Sequence, residues 1–199
     1  MSSDPENPWT TLGSELQYDN PWIRVVEHKV LTPKRTPGIY GTIHFKHLAT
    51  GVVPIDAEGC TYLVGQYRYA LGAYSWEIPE GGGKPGVPAL ESIQRELLEE
   101  TGFTANGWLE LMTLHLSNSI TDEVATGFLA WDLTPGPASP EDSEQLSLRR
   151  LPFFEAVRMV WAGEITDAVS VAVIQRLELM LRRGTAPADV AAAIGTLPE

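Results

Sequence analysis

Three glutamates near the middle of the sequence are spaced so that a helix would bring their carboxylates together. Glu96, Glu99 and Glu100 belong to the run RELLEETGF at positions 95–103. At about 100° per residue, the three positions fall within one arc of a helix surface. Like charges four residues apart destabilise a helix, and the C-terminal end of a helix disfavours negative charge. The local preferences of the chain therefore argue against this arrangement, as they often do at functional sites.

A bound divalent cation would remove this conflict. Mg²⁺ takes oxygen ligands and keeps several waters, so a few carboxylates together with substrate phosphates suit it. The neighbouring arc of the same helix is apolar at Leu90, Ile93 and Leu97, and it would anchor the helix while the acids face a site beside it. The alternative is an acidic helix face that meets only solvent, offset by Arg95. The three glutamates alone do not separate these two interpretations.

Short strands and a glycine-rich turn must position this helix. Pro88 is tolerated in a first helical turn and Gly102 is an expected C-terminal stop, which predicts a helix from Pro88 through about Thr101. Residues 75–78 are predicted to form a short strand that runs into a glycine-rich turn at 79–83. The site therefore lies where this turn meets the helix.

The rest of the chain alternates strand-like runs with turn-forming residues, and helix-like runs follow near the C-terminus. Residues 1–20 are predicted to be an irregular lead-in, and the tail after Gly184 to fray or to add a short helix. Predicted strands are 22–31, 39–47, 51–55, 60–67, 108–116, 123–133 and 144–151, with a hairpin turn at 56–59 and a long loop at 134–143; predicted helices are 153–162 and 165–182. The pattern indicates a mixed α+β domain.

Composition limits the classes of function. The 199 residues suit one compact domain with at most a small appendage, and 43% of them are hydrophobic. The net charge of −12 argues against nucleic-acid binding and against docking on an anionic membrane. It does not exclude an anionic substrate, because a metal ion held by carboxylates can invert the local field. A single cysteine, Cys60, and the absence of a signal-like N-terminus predict a cytoplasmic protein.

The glycine-rich turn and the acidic helix together resemble the Nudix box. That signature reads Gly, five residues, Glu, seven residues, Arg-Glu, an aliphatic residue, any residue, Glu-Glu, any residue, Gly and an aliphatic residue. The positions that match in register are Gly81, Arg95, Glu96, Leu97, Glu99, Glu100 and Gly102, with Phe103 as an apolar equivalent. One position departs, since Val87 replaces the first glutamate of the box. In the family that glutamate supports the site from its edge.

The resemblance implies the Nudix fold, an α/β/α sandwich with a mixed β-sheet, and a small N-terminal antiparallel sheet. The expected organisation is an N-terminal β segment at 1–50, a hydrolase domain at 51–185 and a tail at 186–199. In the branch that acts on ADP-ribose and nucleotide sugars, the N-terminal sheet exchanges with a partner subunit. We therefore expect a homodimer.

The resemblance also implies a set of metal ligands. Glu96 and Glu100 would coordinate Mg²⁺, with Mn²⁺ as an alternative, and Glu99 would be a further ligand or hold a water. In the relatives that hydrolyse ADP-ribose, the main-chain carbonyl before the box glycine also binds metal, which corresponds here to Glu80. Arg95 would orient Glu96 and the loop. Gly81 and Gly82 would line the substrate site.

A general base must come from elsewhere, because metal ligands do not themselves take the proton from the attacking water. In the ADP-ribose and nucleotide-sugar branch, a glutamate in the loop before the last strand supplies it. Glu144 is the first candidate here and Glu141 the second. Glu123 is a rival, in a loop that resembles the stretch where ADP-ribose hydrolases carry Ser-Pro-Gly. Asn118 and Ser119 replace that proline and glycine, which points toward nucleoside diphosphate sugars.

Two further side chains are candidates for binding substrate. Arg68 lies in the run GQYRY at 65–69, which is similar to the family's strand end that holds substrate, and its guanidinium could pair with a phosphate. The alternative is an ordinary surface arginine. Trp22 is the candidate aromatic for stacking on the base, and core packing is its alternative.

These expectations predict a hydrolase that cleaves the pyrophosphate bond of a nucleoside diphosphate sugar of the GDP-mannose or ADP-ribose type. The products would be a nucleoside monophosphate and a sugar phosphate. A non-catalytic module that senses nucleotides is the first alternative, and the loss of the box glutamate at Val87 favours it. A nucleoside triphosphate pyrophosphatase is the second, although those relatives are usually shorter. Neither nucleic acid nor membrane is an expected partner.

Overall fold

The structure, a computed structural model, describes residues 6–137 and 145–195. The strands are β1 (Thr10–Asp19), β2 (Ile23–Leu31), β3 (Pro37–Phe45), β4 (Leu48–Pro54), β5 (Cys60–Arg68), β6 (Ala73–Glu77), β7 (Glu80–Gly83), β8 (Phe103–His115), β9 (Val124–Pro135) and β10 (Ser147–Pro152). The helices are α1 (Ala89–Thr101), α2 (Phe153–Trp161), α3 (Ala168–Arg182) and α4 (Ala188–Ile194). The chain divides into two compact units.

The first unit comprises the described residues up to His47 together with His115–Glu123. Its sheet has the order β1-β2-β3, and both pairs are antiparallel. The prediction of an irregular lead-in over residues 1–20 was wrong, because Thr10–Asp19 pairs along β2. The sequence of β1 does not indicate a strand, since it has few β-branched or aromatic residues. In the structure, two register shifts interrupt its pairing with β2.

This three-stranded sheet has almost no core of its own. Val30 is the one fully buried apolar residue that the structure describes in this unit. Large apolar side chains are instead exposed, among them Leu16, Trp22 and Ile39, which are 57%, 65% and 72% exposed. A small sheet with so little buried apolar area is marginal by itself.

The second unit comprises Leu48–Leu114 and the described residues from Val124 onward. One of its sheets has the order β7-β4-β9-β8, and the other has the order β10-β5-β6. The four-stranded sheet is mixed, because β4 pairs in parallel with β9 and antiparallel with β7. The α+β class and the mixed sheet expected from the sequence are therefore confirmed.

Helices cover both faces of the mixed sheet. Successive side chains of a strand point to opposite faces, and Val52 of β4 belongs to a buried cluster with Ile93 of α1. The preceding residue, Gly51, faces α3, since a Cβ there would lie 2.9 Å from Val169 Cγ1. Gly127 of β9 faces α3 in the same way. Helices α1 and α3 therefore pack on opposite faces, which gives an α/β/α sandwich.

Helix α1 follows its predicted limits closely. Pro88 precedes it and Gly102 ends it in a left-handed conformation with φ of 74°. Ile93 and Leu97 are fully buried, as their spacing predicted. The assignment of Leu90 to the same anchoring face was wrong, because its side chain is 39% exposed. Leu90 lies in the first turn, where the helix emerges from the loop.

Two predictions around the sheets require correction. The turn at 56–59 forms, with Gly59 at φ of 73°, but β4 and β5 belong to different sheets, and the turn carries a single β-bridge, between Ile55 and Thr61. The glycine-rich stretch expected to be a turn contains β7, which pairs with the start of β4. In both cases pairing to distant strands overrides the local turn preference.

The C-terminal helices match the predicted spacing. Val169, Val173 and Leu177 of α3 are buried in the core, as the helical repeat indicated. Asp167 caps this helix, since its carboxylate accepts a hydrogen bond of 2.8 Å from the amide of Ser170. No helix in residues 6–137 and 145–195 is long and apolar enough to cross a bilayer.

The close approach of α3 to the sheet makes a first prediction at Gly127. A Cβ there would lie 2.3 Å from Val173 Cγ2, so Gly127→Ala should overpack the core and lower the free energy of unfolding by about 1–3 kcal/mol. Urea denaturation measures the loss. Trimming the partner as Val173→Ala should restore part of the stability in the Gly127→Ala background. Equal unfolding midpoints for wild type and Gly127→Ala would contradict this packing.

Candidate active site

The three glutamates of α1 lie on its partly shielded side. Glu100 is buried, whereas the side chains of Glu96 and Glu99 are 13% and 30% exposed. The buried Ile93 and Leu97 on the neighbouring arc of the helix pack in the core beneath it. The carboxylates are therefore neither dispersed in bulk solvent nor part of the apolar core. They form an acidic cluster at the edge of the sheet beside β7.

Arg95 binds this cluster together. Its guanidinium donates to Glu99 Oε2 at 2.6 Å, to Glu96 Oε1 at 2.5 Å and to the carbonyl of Gly82 at 3.3 Å. Partial burial opposes the charge on Arg95, yet the two carboxylates outweigh it and raise its pKa. One planar cation thus offsets part of the repulsion on α1 and ties the helix to β7.

Gly81 allows the acid helix to approach the strand. A Cβ at this position would lie 2.0 Å from Cδ of Glu96, well inside van der Waals contact. No other residue type fits without moving the carboxylate. The glycine at the start of the motif is therefore explained by close packing against the Glu96 side chain.

The residues just before Gly81 are held from two sides. The amide of Glu80 donates to Glu100 Oε2 at 3.1 Å, and the buried Thr50 hydroxyl donates to the carbonyl of Gly81 at 3.0 Å. The amide of Val52 donates to the carbonyl of Pro79 at 2.9 Å. These bonds fix the main chain of residues 79–81 between β4 and α1.

The side chain of Glu80 points away from α1 and toward α3. Its Oε1 accepts a hydrogen bond of 2.8 Å from the hydroxyl of Ser170. Burial, followed by the neighbouring carboxylate of Asp167, raises the pKa of Glu80 well above its usual value. Glu80 therefore links the two helices that cover opposite faces of the sheet, through its amide on one side and its carboxyl group on the other.

Arg68 is paired inside the protein. Its guanidinium forms a forked ion pair with both carboxylate oxygens of Glu77, whose side chain is 4% exposed. This hydrogen bonding raises the pKa of Arg68. The side chain of Arg68 is 39% exposed, so one partner of the ion pair is buried and the other reaches the surface. The forked pair holds the end of β5 against β6.

The remaining predicted site residues fall elsewhere. Trp22 and Glu123 belong to the first unit, and Trp22 at 65% exposure does not pack in a core of the single chain. Glu141 and Glu144, the two loop candidates for the base, lie outside the described residues. A cavity of about 730 Å³ in the second unit, between residues 55–57, 131–133 and α4, has none of the predicted site residues in its lining.

The chemistry of the donors fits a hard divalent cation, since the cluster offers carboxylate and main-chain oxygens and no sulfur. In the present side-chain arrangement, no three His, Cys, Asp or Glu residues within the described ranges converge tightly enough to hold a metal ion. Two of the three α1 carboxylates form ion pairs with Arg95. The arginine thus offsets part of the repulsion among the clustered acids.

Sequence reasoning missed the residues that support Glu80. Thr50 and Ser170 are buried polar side chains from distant parts of the chain, and local patterns do not show that they meet β7. The sequence does contain a capping pattern at the start of α3, because Asp167 and Ser170 have the spacing of an N-cap residue and the amide that it accepts from. That pattern would have located the helix start, although not its contact with Glu80.

Comparison with known proteins agrees with this geometry. Residues 45–172 match the model of the NUDIX domain, and residues 9–43 match that of the nucleoside diphosphate sugar hydrolase N-terminal domain. The first match includes the acidic helix, Gly81 and all of the mixed sheet. The second covers the three-stranded sheet of the first unit.

Individual relatives of the chain are pyrophosphatases and related hydrolases. The chain is 32% identical over 127 residues to an ADP-ribose pyrophosphatase of Mycobacterium tuberculosis, a match that spans 62% of this chain and 61% of that enzyme. It is 27% identical to a GDP-mannose pyrophosphatase of Klebsiella pneumoniae, over 77% of each. The crystal structure of an ADP compounds hydrolase has the same fold, with a TM-score of 0.81 and 22% identity, and covers 92% of this chain and 100% of that one. The matched domain and the site within it show that the chain belongs to the Nudix family.

Proposed function

We propose that this protein hydrolyses the pyrophosphate bond of a nucleoside diphosphate sugar of the GDP-mannose or ADP-ribose type. The products are a nucleoside monophosphate and a sugar phosphate. The observation that carries the proposal is the acidic cluster of α1, bound by Arg95 and packed on Gly81, within a domain of the Nudix family. The sugar-linked substrate class is supported by the N-terminal match to nucleoside diphosphate sugar hydrolases and by the names of the relatives.

The acids of the cluster are proposed to hold Mg²⁺, with Mn²⁺ as an alternative. Glu96 and Glu100 would be direct ligands, Glu99 a further ligand or the holder of a water, and Glu80 a ligand through its main-chain carbonyl. When bound, such a cation neutralises charge on the phosphates and lowers the pKa of a bound water. Arg95 keeps Glu96 and the chain at Gly82 in place.

Substrate binding is proposed to use three regions. The main chain at Gly81 and Gly82 runs beside the acidic cluster, where the diphosphate would lie. Arg68 would supply positive charge to a phosphate from its exposed part, while Glu77 fixes its direction. Trp22 is the proposed stacking surface for the base, and its 65% exposure leaves its ring accessible.

Removal of a proton from the attacking water is assigned to a glutamate outside α1. Glu144 is the first choice, Glu141 the second and Glu123 the third. Glu141 and Glu144 belong to a stretch whose sequence resembles the one that supplies the base in the nucleotide-sugar branch. The water then attacks one phosphorus in line with the departing phosphate.

The metal site gives a direct prediction for turnover. Glu96→Gln should lower kcat/KM for GDP-mannose or ADP-ribose by more than about 100-fold, since even outer supports of metal ligands contribute 10–100-fold. Arg95→Lys should lower it by about 10-fold, because an ammonium group cannot reproduce the fork to Glu96 and Glu99. Release of nucleoside monophosphate, measured with and without Mg²⁺, provides the readout.

Arg158 offers a matched control for the Arg95→Lys substitution. It also joins two acids, Glu155 and Glu164, but on the exposed surface of α2. Arg158→Lys should keep kcat/KM within about twofold of the wild type. A Glu96→Gln protein that hydrolyses substrate at the parent rate would refute the metal assignment.

The choice of base is tested by three single substitutions. Glu144→Gln should lower kcat by about 100-fold or more while leaving KM for the substrate nearly unchanged, because a positioned base contributes about 10²–10⁴-fold to the chemical step. Glu141→Gln and Glu123→Gln should have smaller effects. Rates measured across pH identify the base, since its loss also removes the acidic limb of the profile. If Glu144→Gln retains its rate while one of the others loses it, the assignment moves to that residue.

One difference from the Nudix box supports a second candidate function, nucleotide binding without hydrolysis. Val87 replaces the first glutamate of the Nudix box, which favours a module that binds nucleotides without cleaving them. Calorimetry with nucleoside diphosphate sugars, followed by analysis of phosphate products, separates binding from turnover. Including nucleoside triphosphates in the same panel tests the remaining alternative, a triphosphate pyrophosphatase.

We also propose that the protein is a homodimer formed through its N-terminal sheet. That sheet has one fully buried apolar residue among those described, Val30, and exposes Leu16 and Ile39. Apolar groups at such exposure are stabilised when a second apolar surface covers them. The family model matched at residues 9–43 covers this same sheet.

Light scattering tests this assembly. The wild type should have the mass of a dimer. Leu16 and Ile39 lie on opposite faces of the sheet, so Leu16→Glu and Ile39→Lys are made singly, and the one on the covered face should shift the mass to that of a monomer, because a charge replaces an apolar group there. Leu179→Glu, at an exposed apolar residue of α3, should leave the dimer intact. A monomeric wild type at micromolar concentration would contradict the proposal.

A further inference from the structure

We propose that Ser170 of α3 is a positioning residue, which holds residues 78–80 so that the main chain of Glu80 stays directed at the metal site. This inference rests on the proposed function, since it concerns the metal site of the same reaction. Ser170 would not touch the metal or the substrate. It acts through the chain segment that precedes Gly81.

The contacts of the Ser170 hydroxyl identify this role. Its Oγ accepts a hydrogen bond of 3.0 Å from the amide of Ile78 and donates one of 2.8 Å to Oε1 of Glu80. A serine hydroxyl has one proton to donate and lone pairs to accept, so the two bonds are compatible. The residue is fully buried, and water does not replace either bond there. One hydroxyl thus binds both ends of a three-residue segment.

The position of the hydroxyl is itself fixed by α3. Asp167 caps the helix through the amide of Ser170, and this bond sets the first turn. The next residues on the buried side, Val169 and Val173, pack so closely on the sheet that Gly51 and Gly127 are needed opposite them. Ser170 therefore belongs to the part of the helix that has the least freedom to shift.

The other end of the connection reaches the acidic cluster. The amide of Glu80 donates to Oε2 of Glu100, which is a proposed metal ligand on α1. Glu80 consequently receives one bond from Ser170 at its carboxyl group and gives one to Glu100 at its amide. The chain of contacts runs from α3 through the sheet edge to α1, and it orients the segment that would present the Glu80 carbonyl.

Removing the hydroxyl should disturb the metal site more than the fold. In Ser170→Ala, the buried amide of Ile78 loses its acceptor and the Glu80 carboxyl group loses one donor. Residues 78–80 should therefore be held less rigidly, although the bonds of Thr50 and Val52 to residues 79–81 remain. Movement of Glu80 would also change its bond to Glu100. Losing an outer partner of a metal ligand typically lowers metal affinity by 10–100-fold.

Direct metal binding tests the proposal without relying on turnover. Free Mn²⁺ is measured by electron paramagnetic resonance during titration of the wild type, Ser170→Ala and the control Leu177→Ala. Ser170→Ala should raise the Kd for Mn²⁺ by about 10-fold. It should raise the Mg²⁺ concentration for half-maximal hydrolysis by a similar factor. Leu177→Ala removes a buried apolar side chain from the same helix, two turns beyond Ser170, and should lower Tm while leaving the Kd within about twofold.

The outcomes separate this inference from the proposed function. A Ser170→Ala protein that folds and binds Mn²⁺ with the wild-type Kd overturns the positioning role, and so does an equal rise in Kd for Leu177→Ala. If Ser170→Ala does not fold, Ser170→Cys replaces it, since a thiol is only a weak donor and acceptor; an unchanged Kd there also overturns the role. Wild type that binds Mn²⁺ but hydrolyses no nucleoside diphosphate sugar refutes the proposed function alone.

Discussion

The repulsion among three carboxylates on one helix is the constraint around which the second unit is arranged. Helix α1 carries these acids near its C-terminal end, where its own dipole adds to their repulsion. Arg95 offsets part of the charge, and the amide of Glu80 offsets another part at Glu100. Each of these groups comes from, or is bound to, the strand β7. Contact with that strand therefore offsets part of the repulsion on the acidic helix, and Gly81 allows the two to approach closely enough for it.

The same requirement for close approach appears on the opposite face of the sheet. Gly51 and Gly127 lie under α3, and side chains there would collide with Val169 and Val173. With α3 held this near, the hydroxyl of Ser170 can reach across the sheet edge to Glu80. Packing distance, set by glycines in two strands, thus determines whether a polar contact beside the acidic cluster can form. The packing of the apolar core under α3 therefore affects the polar contacts beside the acidic cluster.

Much of this could be predicted from the sequence, and the failures have a common cause. The helix limits, its buried Ile93 and Leu97, and the acids beside Arg95 follow from local spacing, since residues three and four apart share a helix face. Strands β1 and β7 were missed because their sequences favour irregular chain or turns, and they become strands only by pairing with distant residues. The contact of Ser170 with Glu80 joins residues 90 positions apart. No local pattern carries that information.

The candidate site residues are divided between the acidic helix α1 and other parts of the chain. The proposed metal ligands Glu96, Glu99 and Glu100 occupy a helix that is anchored on one face of the mixed sheet by Ile93 and Leu97. The candidates for the base, Glu144, Glu141 and Glu123, lie outside this helix in the sequence. The first unit exposes its apolar residues and so has little of the buried apolar area that stabilises a small sheet. Changes in the proposed substrate-binding residues Arg68 and Trp22 need not disturb the packing of the acidic helix, because neither residue belongs to α1.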